Sequence, residues 1–299
     1  MELHKIQGKL FPTPPFDFSK SLSFTRMFTP AKGEQTISDL SLTKAIYIED
    51  QTIAFRLEDE GNIEKPVLSY TLYSENEIKN NVKSELLDRI NFYLSLEDDL
   101  RPFYDIGRED PDFSIVLDDL YGLHQVKFLT PFEAAAWAVL SQRISMKAAH
   151  TMKNRITEAT GDHIRIEGVD YWTFPDAHQL KTFGVEKLQS IIKNRRKSEY
   201  LTAVADAFED ADENFLRNGP IEEVKEWLTD IKGIGEWSAH LELIRGLGRM
   251  EEIPEHDMML SSCFKKVYGS ETTENQFKNI SSSYGEFKGY WTYYLRTIC

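Results

Sequence analysis

A chain of 299 residues, 41% hydrophobic and 28% charged, is long enough for one large or two ordinary domains and has the composition of a soluble globular protein. No run approaches the roughly eighteen apolar residues of a membrane span, and the amino-terminal MELHKIQGKLFPTPPFDF lacks the apolar core of a signal peptide. The net charge of −14 argues, taken by itself, against a nucleic-acid partner; Cys263 and Cys299 make no disulfide framework and no four-thiolate metal set, which suits a reducing cytoplasm.

Residues up to about 75 read as β-rich. SLTKAIYIE, TIAFRLE and VLSYTLY are runs of β-branched and aromatic residues, separated by turn chemistry at Asp50–Gln51 and in EDEGNIEKP. NEIKNNVKSELLDRINFYLSL then carries apolar residues at Ile78, Val82, Leu86, Ile90 and Tyr93, a helical stripe. From about residue 100 the pattern is helical. In TPFEAAAWAVLSQRISMKAAHTMKNRITEATG, Thr130 and Pro131 open a helix with a capping hydroxyl and a first-turn proline. The pattern breaks near Gln142–Ser145 and closes at Gly161. FGVEKLQSIIKNRRKSEYLTAVADAF predicts one further helix, IEEVKEWLTDI leads into a Gly-Ile-Gly turn, PEHDMMLSSCFKKVYG starts another helix, and YGEFKGYWTYYLRTIC closes the chain. The fold class is α+β: a small amino-terminal antiparallel β-sheet domain over residues 1–105, then a larger all-helical domain over residues 106–299.

Charge is distributed unevenly. QRISMKAAHTMKNR and KLQSIIKNRRKSEY are basic, whereas LEDDLRPFYDIGREDPDFSIVLDDL and FEDADENF are acidic. Either basic stretch read singly is a solvated face, but binding follows local charge and not the total.

Leu228, Ile231, Lys232, Gly233, Ile234 and Gly235 form a helix–hairpin–helix signature within residues 225–245. Glycine permits dihedrals and close backbone approach that a Cβ obstructs. A tight hairpin entering a helix leaves that helix's first N–H groups pointing outward at the positive end of its dipole, which suits a phosphate without base readout. A short turn between packed helices is the plainer reading of Gly-x-Gly; the flanking Leu, the following Trp237-Ser-Ala and the downstream Pro254 with its acids favour the first.

LTDIKGIGEWSAHLELIRGLGRMEEIPEHDMML resembles the helix–hairpin–helix DNA glycosylase superfamily, where the hairpin precedes a hydrophobic helix, a proline and an essential Asp. More narrowly, it is similar to the 3-methyladenine DNA glycosylase II, or AlkA-type, branch. PPFDFSKSLSF, PFEAAAWAVLSQRIS and YGEFKGYWTYYL agree with that branch. The resemblance implies a base-excision repair hydrolase that flips alkylated purines of the 3-methyladenine and 7-methylguanine type out of duplex DNA and releases them, without strand cleavage. It implies Asp257 as the catalytic carboxylate, with Glu255 the competing acid and His256 a neighbour; an Asp at this distance from a proline is also an ordinary helix cap. Trp237 and Phe24 are implied as base-pocket aromatics. Lys232, Gly233, Ile234, Gly235, Gln142 and Arg143 are implied at DNA, with one of Gln142 and Arg143 filling the gap left by the flipped base. Two positions depart from the branch: Leu241 and Arg296 stand where its best-known members carry aromatics, which puts the range of damaged bases in question.

No cofactor and no metal are implied. The partner is double-stranded DNA containing damaged bases, the chain is expected to act as a monomer in the cytoplasm at a bacterial nucleoid, and no membrane is involved. An oxidised-purine glycosylase with lyase activity and a non-catalytic helix–hairpin–helix DNA-binding module are the competing readings.

Overall fold

The computed structural model describes residues 3–253, 258–271 and 273–299. Among these, five strands form one antiparallel sheet: β1 (His4–Leu10), β2 (Gln35–Ile37), β3 (Ser41–Ile48), β4 (Gln51–Asp59) and β5 (Leu68–Ser74), in the order β1-β5-β4-β3-β2. The three strands read from the sequence are the centre of this sheet. The β3–β4 turn lies at Glu49 and Asp50, both at positive φ, so that Ile48 pairs with Gln51 and Gln51 belongs to the strand. Two consecutive left-handed residues match the twist of a two-residue hairpin. β1 escapes the sequence pattern because His4, Lys5, Gln7 and Lys9 interrupt its apolar residues, as an edge strand permits.

Helix α1 (Phe18–Met27) is capped by Asp17, whose side chain accepts from the Lys20 amide, and α2 (Asn80–Leu94) buries Val82, Leu86, Ile90 and Tyr93. Both pack on one face of the sheet in a core that includes Phe55, Leu57 and Leu72.

Next follow α3 (Arg101–Arg108), α4 (Pro111–Leu120), α5 (Pro131–Ser141) and α6 (Met146–Thr160). α5 begins as its sequence requires: the Thr130 hydroxyl accepts from the Glu133 amide at 3.1 Å, and every residue of the helix is buried. The chain then departs from all-helical. β6 (His163–Ile166) and β7 (Val169–Trp172) form a hairpin whose Ile164, Ile166 and Tyr171 pack on Ala45, Ala54 and Tyr73 of the sheet's second face. That cover explains why β3 and β4 are buried on both sides.

α7 (Ala177–Phe183), α8 (Val185–Ile192), α9 (Arg195–Glu209), α10 (Glu213–Asn218) and α11 (Ile221–Asp230) lead to the hairpin. The single helix expected over 183–208 is two helices. Lys193 adopts φ +56 and the Asn194 side chain caps α9 by accepting from the Lys197 amide, so a local polar bond breaks a continuous apolar period. α12 (Glu236–Leu241) runs into a π-helical turn, Glu242–Gly246, and α13 (Met258–Tyr268), α14 (Glu274–Ser283) and α15 (Lys288–Thr297) complete the chain. α5 to α12 enclose a second core; α3, α4, α13 and α15 enclose a third, rich in aromatic rings around Phe103 and Trp291. The two cysteines, read from composition as making no disulfide framework, are joined: Cys263 on α13 and Cys299 beyond α15 form a disulfide with Cα atoms 5.8 Å apart, because α13 and α15 pack side by side.

Candidate DNA interface and base pocket

The hairpin joins α11 to α12. Ile231 and Ile234 are buried in the core beneath it, and the Ile234 amide donates to the Ile231 carbonyl at 2.9 Å, so Ile234 anchors the turn and its N–H is spent. The two glycines differ. Gly233 sits at φ +103, and a Cβ there would come within 2.4 Å of the Tyr200 ring. Gly235 meets nothing within 4 Å. Its small size answers no demand inside the protein and leaves the turn open to something outside. Among the described residues, neither glycine N–H has a hydrogen-bond acceptor. Around this open edge Lys232 is exposed and lies 3.4 Å from Glu199, and Glu236, in the first turn of α12, lies 3.2 Å from Lys225. Those lysines offset carboxylates that would otherwise repel an anion.

Gln142 and Arg143 follow α5 directly beside the hairpin. The Gln142 amide donates to the Gly233 carbonyl at 2.8 Å and the Ser238 hydroxyl at 3.0 Å, so its side chain is turned inward. Arg143 is exposed at φ +55, at the tip of the turn into α6.

Trp237, Phe24, Leu241 and Arg296, singled out from four places in the sequence, all line one open cavity of about 450 Å³. It lies where the sheet's α1, the hairpin helix and α15 meet. Trp237 at its edge is 50% exposed, beside Met27, Met146 and Met259, which are comparably exposed. Sequence reasoning missed its inner wall. Arg245, in the π-helical turn, holds its guanidinium carbon 5.0 Å from the Phe24 ring, 4.7 Å from Phe28 and 5.7 Å from Tyr293. It donates to the Val126 carbonyl at 2.7 Å, and burial pulls its pKa down to about 10, which leaves it charged at neutral pH. Its sequence signal is the lone basic residue in the run LELIRG. The π-helical turn itself carries Ile244 and Arg245, and both lie on the cavity wall.

His240, also on the cavity wall, bonds the Glu236 carbonyl through Nδ1 and places Nε2 3.7 Å from Glu252. Glu252 raises its pKa against the opposing effect of burial. The turn at residues 249–252 is held further by Arg249, which donates to the Gly219 carbonyl at 2.9 Å, and by the Gly289 amide, which donates to Met250 at 2.7 Å. Asp257, Glu255 and His256 lie outside the described residues.

The family model described as "HhH-GPD superfamily base excision DNA repair protein" matches residues 136–285, a span that contains the hairpin, Trp237 and Arg245. A DNA-3-methyladenine glycosylase of Bacillus subtilis (strain 168) is 27% identical over 303 residues, covering 99% of this chain and 98% of the relative. In fold, the chain is similar to a 3-methyladenine DNA-glycosylase from Archaeoglobus fulgidus, with a TM-score of 0.78 at 22% identity and 97% of each chain covered. It is also similar to the 8-oxoguanine glycosylase/lyase of Clostridium acetobutylicum, with a TM-score of 0.69 at 14% identity, covering 100% of this chain and 97% of the other.

Proposed function

Because the chain belongs to the HhH-GPD superfamily of base excision DNA repair proteins and is a DNA glycosylase, we propose that it releases alkylated purines from duplex DNA by hydrolysis and leaves the strand intact. The observation that carries this reading is the chemistry of the cavity beside the hairpin. Its wall is mainly aromatic and aliphatic, with Trp237 at the edge and Arg245, His240 and Arg296 as its basic groups, and no lysine is among the described residues that line it. Support also comes from end-to-end similarity to a relative named as a 3-methyladenine glycosylase.

The reaction follows from what such a cavity receives. A base stacked in the duplex must leave the helix to reach a pocket of this depth. The open hairpin at Gly235 takes a backbone phosphate, and Arg143 fills the gap left in the stack. A purine alkylated at N3 or N7 carries a positive charge, so it departs without prior protonation. What the enzyme stabilises is the oxocarbenium-like sugar, and an ionised carboxylate at Asp257 does this while orienting water toward C1′. The Trp237 face favours a cationic, electron-poor base over a neutral one.

Strand nicking by glycosylases with lyase activity needs an amine that attacks C1′ and forms a Schiff base. Trp237 stands two residues past the second hairpin glycine, and an indole forms no imine. Methylated duplex should therefore yield free methylpurine and an alkali-labile but unbroken strand, with far slower release from 8-oxoguanine, hypoxanthine or uracil duplexes. Borohydride should trap no covalent adduct. Prompt nicking by the pure protein, or a borohydride-stable adduct, overturns the hydrolytic reading in favour of the oxidised-purine lyase.

A further inference from the structure

α9 carries a buried lysine that lies within ion-pair distance of no described carboxylate. The Lys197 ammonium donates to the carbonyls of Val139 at 2.7 Å, Leu140 at 2.9 Å and Gln142 at 3.0 Å. These belong to the last turn of α5 and the residue just beyond it, where a helix end leaves carbonyls short of donors and the Val139 carbonyl takes only a long bond of 3.4 Å from the Gln142 amide. Carbonyl oxygens and the negative end of the α5 dipole are what balance the charge. Burial alone pulls the ammonium down to about 8, so the arrangement is costly to a charged group, and a glycine or a water would satisfy the same carbonyls.

What the lysine holds accounts for that cost. Gln142, whose carbonyl it grips, spends its side-chain amide on the hairpin at Gly233 and Ser238. The next residue, Arg143, sits in a left-handed conformation that a side chain bearing a Cβ adopts only when its surroundings enforce it. One turn along α9, Tyr200 backs Gly233 from beneath. A single helix thus touches both the loop that presents Arg143 and the hairpin.

We propose that Lys197 is a positioning residue for base flipping: it fixes the Arg143 loop against the hairpin, so that the phosphate taken by the hairpin determines where Arg143 enters the duplex. This rests on the glycosylase reading above. A displacement of about an ångström in a group that must meet a gap one base wide is enough to cost on the order of a hundredfold in rate.

The test compares one lesion in two settings. Single-turnover release of 7-methylguanine is measured from a fully paired duplex and from a duplex in which the lesion is looped out as a bulge. Lys197→Met should slow release from the paired duplex by roughly 100-fold but from the bulge by only about threefold, because the bulged base needs no wedge. Lys197→Arg, which keeps a buried cation and its donors, should recover much of the paired-duplex rate. Equal slowing in both settings would make Lys197 a support of the fold and no more, and an unchanged paired-duplex rate would remove its role entirely. Should Lys197→Met fail to fold, Lys197→Gln gives the same comparison. If the wild type releases no base from either duplex, the glycosylase reading is what fails. The flipping inference is then judged by 2-aminopurine fluorescence in bound duplex, which should rise with wild type and not with the lysine variant.

Discussion

At the scale of single residues, one cavity gathers Phe24, Trp237 and Tyr293 from stretches far apart in the chain. Trp237 and Phe24 were legible, and the structure brings them to one cavity. Arg245 was not, because its three rings come from α1, the segment after it and α15. That guanidinium already lies against Phe24, Phe28 and Tyr293, whereas no described cation lies over Trp237. On the proposed reading, preference for a cationic base would therefore fall on Trp237. Trp237→Ala should reduce the ratio of 7-methylguanine to hypoxanthine release by roughly tenfold, measured as kcat/KM on matched duplexes. Loss of both activities in equal proportion would make the indole a filler of space. For Asp257, substitution by Asn should lower single-turnover release by about 10²–10³-fold or more while binding to an abasic duplex stays near wild type. Near-normal release by that variant would transfer the role to Glu255.

At the scale of elements, the centre of the sheet, the α2 stripe and the α5 start were readable because each rests on local chemistry: period-two runs, period-3.6 runs, a capped proline start. The β6–β7 hairpin was not, since Ile164, Ile166 and Tyr171 form too short an alternation to register until they meet the sheet. The helix break at Lys193 and Asn194 hid inside a continuous apolar period. In the hairpin, the two glycines look equivalent in sequence and separate in structure. Gly233→Ala should cost about 1–3 kcal/mol of stability by urea unfolding, from its positive φ and the Tyr200 ring. Gly235→Ala should leave stability within about 0.5 kcal/mol and weaken binding to any duplex roughly tenfold by fluorescence anisotropy. The salt dependence of that binding should be shallow, with a slope of only a few charges, because hairpin amides release no counterions. A loss confined to particular DNA sequences would mean that the hairpin reads bases.

At the scale of the whole molecule, what locks the sheet to the helices was invisible in the sequence. Glu34 and Lys44 come from the sheet side, Glu133 from α5 and Lys153 from α6; Lys153 falls in a basic stretch that read singly as a solvated face, and all four are buried. Lys153 meets Glu34 at hydrogen-bond distance and Glu133 at 2.9 Å, and Lys44 lies 3.2 Å from Glu34. Burial works to raise the Glu34 pKa, and the two lysines more than reverse it, so the carboxyl titrates below its ordinary value. A carboxyl depressed in the folded state contributes stability above its unfolded pKa and loses that contribution as pH falls through its folded pKa. Breaking the cluster leaves uncompensated charge in the interior, which costs far more than the intact cluster gains over an apolar replacement. Lys153→Met, similar in length and without the charge, should therefore destabilise the protein by about 3–5 kcal/mol near neutral pH. In acid Glu34, left in the variant with Lys44 as its remaining cation, takes up a proton, and the penalty of burying it as an under-compensated anion disappears. The difference between wild type and variant, measured by urea unfolding at steps from about pH 7 to about pH 4, should accordingly narrow as pH falls. A difference that stays constant across that range would assign the loss to packing around the lysine stem and not to its charge.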